Sequence, residues 1–162
     1  MKAQSWGIDL SIAIIIFTAG IIAFFLYVLN NPNQDIEILE ELSNDGNIIM
    51  ESLLSEGYPL EWNSENVIKI GLFQDNKIQD SKVQEFYDLC NLDYQKTKEI
   101  LNTRFDYYFF LNTPLTIDAG NIEGIGKPGI TSTTITSENL IKITRITNYQ
   151  NKPVIAYLYI WE

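Results

Sequence analysis

Gly120, Gly124, Gly126, Lys127 and Gly129 crowd into ten residues. A glycine-rich loop with a lysine can wrap its main-chain N–H groups around a phosphate. That chemistry needs a Gly-Lys-Ser/Thr ending, and here Lys127 runs straight into Pro128. The stretch 120–129 therefore reads as a glycine-punctuated loop, the most flexible part of its domain. Other candidates are equally thin. Glu40 and Glu41 are adjacent on a helical pattern, where sequence neighbours point apart, so they read as a solvated face rather than an acid–base pair. The chain has one cysteine, Cys90, and no histidine. A Cys/His nucleophile is thereby excluded, and the commonest general base and metal ligand is missing. On an apolar helical face, Cys90 reads as core filler. These patterns mark no catalytic residue, metal-ligating set or cofactor site, and an enzyme is the least supported class.

Composition narrows the partners. The 162 residues hold 21 Asp and Glu against 11 Lys and Arg, a net charge of −10. Such a surface repels nucleic-acid phosphates and anionic lipid headgroups. With a single cysteine no disulfide can form within the chain, so the fold must be held by packing, for which Tyr, Phe and Trp are plentiful.

The strongest signal lies near the start. Leu10 to Leu29 is an unbroken run of twenty residues without a charge. As a helix it reaches about 30 Å, the hydrocarbon thickness of a bilayer. A cleaved secretory signal would have a shorter apolar stretch followed by a small-x-small site, and Tyr27-Val28-Leu29-Asn30-Asn31-Pro32 offers none. A retained transmembrane helix is expected. Lys2 and the terminal amine precede it, and Asp35, Glu37, Glu40 and Glu41 follow it, so the N-terminus is expected in the cytoplasm and the rest outside. About 130 residues then remain for one domain.

Within that domain, Pro32 is expected to open a new helix. Ile36, Leu39, Leu42, Ile49 and Leu53 mark its buried stripe, with Asn44-Asp45-Gly46 interrupting or bending it. The stretch from Ile8 to about Leu54 would then form one long kinked stalk. Glu56 to Trp62 reads as a loop anchored by Tyr58 and Trp62, and Val67 to Phe73 as a strand. A helix capped by Asp80 or Ser81 is expected to run to about Asn91, with Val83, Phe86, Tyr87 and Cys90 on one face, and a second from Asp93 to Leu101. Arg104 to Leu111 is strand-like. Leu140 to Asn148 and Val154 to Trp161 are expected to form a hairpin joined by Tyr149-Gln150-Asn151-Lys152.

Lys2, Ala3, Gln4 and Asp9, followed by the apolar run Leu10 to Leu29, resemble the start of archaeal type IV pilin and pseudopilin-like precursors. Gly57-Tyr58-Pro59-Leu60-Glu61-Trp62, Ile70-Gly71-Leu72, Lys82 and Phe86 resemble a run in membrane-tethered proteins of the same kind. The resemblance implies a leader, residues 1–3, cut from Gln4 by a prepilin peptidase. It also implies a helix, residues 4–31, that packs with other copies in a filament core, and a head, residues 32–162. Such pilins usually carry Glu at the fifth mature position. A cut after Ala3 makes Asp9 the sixth residue, and a cut after Gln4 makes it the fifth.

Asp9 has two readings beside this. It can sit at the helix dipole's positive end near the interface, or pair with the terminal amine of a docking subunit. Ala19 and Ala23 form a small-xxx-small pair that allows close helix approach. The expected fold class is α+β, a long N-terminal hydrophobic helix packed on a small, mostly antiparallel sheet. The expected function is structural: a pilin-like subunit of an extracellular filament or pseudopilus, with lipid, other pilins and the peptidase as partners. The alternative is a single-pass anchored surface protein with an extracytoplasmic binding domain.

Overall fold

The computed structural model describes residues 3–30 and 34–162, and side chains from Gly7 to Leu29 and from Glu37 onward. The expectations on Lys2 and Pro32, and on the side chains of Asp35 and Ile36, lie outside the described residues. The chain divides into two compact units, Met1–Glu37 and Ile38–Glu162.

The first unit is built on α1, Ala3–Asn30. Within it Gly7–Leu29 is long and apolar enough to cross a membrane, with an 18-residue window that reaches a mean hydropathy of 2.8. Ser11 and Thr18 turn their hydroxyls onto the carbonyls of Gly7 and Ile14, each at 2.8 Å, so neither presents an unsatisfied polar group.

The second unit is α+β. Its elements run α2 (Gln34–Leu53), β1 (Glu56–Tyr58), β2 (Lys69–Gln74), β3 (Lys77–Ile78), α3 (Asp80–Leu92), α4 (Tyr94–Ile100), β4 (Asp106–Ile117), β5 (Gly120–Gly126), β6 (Leu140–Tyr149) and β7 (Lys152–Trp161). The first residues of α2 belong to the first unit. The strands form one sheet in the order β1-β2-β3-β6-β7-β4-β5, antiparallel throughout except between β3 and β6. Two tight turns carry both central residues at positive φ, Asp75-Asn76 and Gln150-Asn151. That backbone matches the right-handed twist of the strands it joins, which is why the expected β6–β7 hairpin forms with continuous register.

The helical stripe Leu42, Ile49, Met50 and Leu53 is fully buried in a core shared with Phe86, Tyr107, Phe109, Leu158 and Ile160. Each such side chain contributes about 1.5–3 kcal/mol by leaving water.

Asn44-Asp45-Gly46 does not interrupt α2. Gly46 lies on the buried stripe, and a Cβ there would stand 2.6 Å from Ile143 Cδ1 and 3.0 Å from Ile160 Cγ2. The glycine is present so that the helix can lie close on β6 and β7. The 120–129 segment is likewise mostly strand. β5 pairs along β4, and a Cβ at Gly124 or Gly126 would meet the Phe109 carbonyl at 2.5 Å or the Tyr107 carbonyl at 2.2 Å.

Glu56–Tyr58 is an edge strand on β2, not loop, and its Tyr58 side chain is 63 % exposed while Trp62 is buried. Gln79, not Asp80 or Ser81, is the N-cap of α3, and it makes no side-chain cap bond. Asp93 does cap α4, accepting from the Lys96 N–H. β4 continues past Leu111 to Ile117 through a register break between Phe110 and Leu115, where Pro114 is tolerated.

Candidate functional site

Two regions hold the residues singled out by sequence. The first is α1. The helix begins at Ala3, with Gln4 in its first turn, so both stand at the helix start while Lys2 is outside the described residues. Asp9 is the seventh residue of the helix and no acidic residue occupies the first turn. The dipole's pull fades within the first turn, so it does not account for this carboxylate. Asp9, Ala19 and Ala23 are all exposed, and Ala19 and Ala23, four residues apart, share a face. Around them the apolar side chains are bare: Phe17 is 70 % exposed, Tyr27 68 % and Leu29 73 %. An apolar surface of that extent marks a place for lipid or another apolar helix.

The second region is where the scattered head residues converge. Trp62 is buried and donates its indole N–H to the Gly71 carbonyl at 2.9 Å. The Lys82 ammonium, also buried, donates to the Trp62 carbonyl at 3.2 Å and lies 5.2 Å from the centre of its ring. Gly57 faces the indole so closely that a Cβ would lie 2.2 Å from Trp62 Cδ1, and a Cβ on Gly71 would lie 2.4 Å from the Gly57 nitrogen. Of the residues that carry the resemblance, Gly57, Trp62, Gly71 and Lys82 thus form one packed knot, while Tyr58, Leu60 and Glu61 stay exposed. The knot staples the 59–67 segment onto α3 and β2.

Sequence reasoning missed a polar chain beside Cys90. The Tyr107 hydroxyl donates to Thr97 Oγ1 at 2.6 Å, Thr97 Oγ1 donates to the Tyr94 carbonyl at 2.6 Å, and the Tyr94 hydroxyl accepts the Tyr107 N–H at 3.0 Å. Cys90 Sγ lies 3.7 Å from the Tyr107 hydroxyl. Burial pushes the Cys90 thiol up to about 12 and raises both tyrosines, against the hydrogen bonds that lower them. A thiol held that high is inert at neutral pH. The sequence signal was the alternation of Tyr107 with Phe105 and Phe109 on one strand face, which set Tyr107 inward.

Lys127 does not cradle an anion. It pairs with Asp106 at 2.6 Å, joined by Lys98 at 3.3 Å. These two lysines hold the Asp106 carboxyl below the usual range, although its partial burial works the other way. Glu41 pairs with Arg104 at 2.7 Å on the surface. Among the described residues, no group of three or more His, Cys, Asp or Glu is placed to hold a metal ion. No protein-family model, no curated protein and no solved structure matches the chain.

Proposed function

We propose that the chain is a pilin-like subunit of an extracellular type IV pilus-like filament or pseudopilus. On this reading α1 is held by lipid as a single-pass anchor and then by the helices of other copies. The N-terminus is cytoplasmic, and residues from about 32 onward lie outside. The observation that carries the reading is the helix Gly7–Leu29, apolar along its length and exposed on all sides, followed in the chain by a domain that has a complete core of its own.

The sequence around it supports the same reading. Lys2, Ala3 and Gln4 supply a prepilin-peptidase site. Asp9 is the only Asp, Glu, Lys or Arg between Gly7 and Leu29. A carboxylate in an apolar helix is retained where it finds a partner, and here that is the new terminal amine of a docking subunit. Ala19 and Ala23 permit close approach of the neighbouring helix. The role is structural, with other pilins, lipid and the peptidase as partners.

The test is to shear intact cells and assay the released filaments for this chain. Its presence in a high-molecular-weight sheared fraction supports the proposal. Its confinement to membranes favours the second reading, a single-pass anchored surface protein with an extracytoplasmic binding domain. That second reading rests on the anchor helix and the acidic domain alone.

A further inference from the structure

One edge inside the sheet is open. β6 pairs with β7 along its whole length without a break in register, but on its other side it meets β3 only where Ile78 lies opposite Tyr149. The Ile155 N–H donates to Asn112 Oδ1 on the β4 side at 3.0 Å, so it does not bond Ile146, its partner on β6. Ile146 and Ile155 are therefore a non-hydrogen-bonded pair, and such pairs alternate along an antiparallel ladder. By that alternation the main-chain N–H and C=O groups of Lys142, Thr144 and Ile146 face away from β7. Among the described residues only the Thr144 carbonyl finds a partner, Arg145 Nη1 at 3.1 Å. A spaced row of donors and acceptors is the template for another strand.

Two further observations bear on what fills it. A cleft of about 650 Å³ adjoins the edge, lined in part by Leu54, Phe73, Ile146, Thr147 and Pro153. Ile146 is 82 % exposed, and the buried Thr147 hydroxyl has no hydrogen-bond partner among the described residues. The charge of the hairpin also runs against that of the chain. Residues 140–161 hold Lys142, Arg145 and Lys152 and no carboxylate, in a chain of net charge −10. None of the three is in an ion pair among the described residues. Lys142 instead rests 4.2 Å from the Tyr157 ring, and Arg145 bonds the Asn47 amide. Like charges disfavour a second copy laying the same edge here.

We propose that the open edge of β6 is a strand-addition site for an extended acidic segment of a partner protein. The partner's main chain pairs with Lys142, Thr144 and Ile146, its carboxylates meet Lys142 and Arg145, and its apolar side chains enter the cleft.

The test uses the full chain in detergent micelles and a fluorescein-labelled nonapeptide of alternating valine and glutamate, read by anisotropy. Saturable binding is expected, weakened at least about tenfold when lysine replaces glutamate in the peptide. Methylating alternate peptide nitrogens removes the strand's donors without altering the protein, and is expected to abolish binding. Thr144→Pro removes an N–H from the open edge only, and is expected to weaken binding about tenfold. No saturation up to about 1 mM overturns the proposal and leaves Lys142 and Arg145 as guards against edge pairing. Equal binding of acidic and basic peptides overturns it, as does indifference to N-methylation. Self-association of the chain that Thr144→Pro abolishes also overturns it, by giving the edge to a second copy.

Discussion

Lys82 places its ammonium 5.2 Å from the centre of the Trp62 ring and hydrogen-bonds the carbonyl of the same residue at 3.2 Å. A buried lysine normally demands a carboxylate, yet here the ring face and one carbonyl receive the charge. The arrangement ties the 59–67 segment to α3. Lys82→Ala is expected to cost about 2–4 kcal/mol, from lost packing of the stem and lost contact with the ring. Lys82→Met keeps the stem and is expected to cost less than half as much. Urea unfolding of the full chain in detergent, followed by Trp fluorescence, checks both. No loss for Lys82→Met would remove the charge–ring contact from the account, and equal losses for the two variants would remove the packing of the stem.

Gly46 tests the helix–sheet approach. Gly46→Ala gains about 1 kcal/mol of helix propensity, but its methyl would stand 2.6 Å from Ile143 Cδ1. Overpacking costs about 1–3 kcal/mol, so a net destabilisation is expected. Ile143→Val removes the obstructing methyl. The double variant is expected to be more stable than the two single losses predict, a coupling that a double-mutant cycle on urea midpoints reads directly.

Cys90 gives a pH dependence of known sign. The unfolded thiol titrates near its ordinary value of 9.0, and the folded thiol is pushed up to about 12. Between these values the unfolded state binds fewer protons, so stability is fully present below pH 9 and falls as pH rises toward 12. The slope from this group is about 1.4 kcal/mol per pH unit, and Tyr94 and Tyr107 add to it above pH 10. Cys90→Ala is expected to flatten the decline between pH 9 and 10. At pH 8, iodoacetamide is expected to modify Cys90 only after urea unfolding.

Asp9 tests assembly separately from anchoring. Asp9→Ala keeps the apolar helix and removes its carboxylate. Membrane-associated protein is expected at the parental level, with sheared filaments reduced more than about tenfold. Quantitative immunoblots of the two fractions decide it. Unchanged filaments would remove the pairing role.

The features legible in the sequence were the local ones. The charge-free run marked α1, and the alternation on either side of Gln150-Asn151 marked the β6–β7 hairpin. The features misread depended on what lies across the fold. Gly46, Gly124 and Gly126 look like breakers in sequence, but each is glycine because another element comes within 3 Å of where its Cβ would be. The burial of Lys82 was not legible, since nothing local tells that Trp62, twenty residues earlier, folds back over it. The open edge of β6 was hidden for the same reason: it exists because β3 is only two residues long, Lys77–Ile78.

The central claim rests on processing at Ala3-Gln4, and the intact mass of the protein from native membranes tests it most directly. The account predicts a chain lacking Met1-Lys2-Ala3. A full-length chain, or one lacking Met1 alone, would contradict it and make α1 a plain anchor.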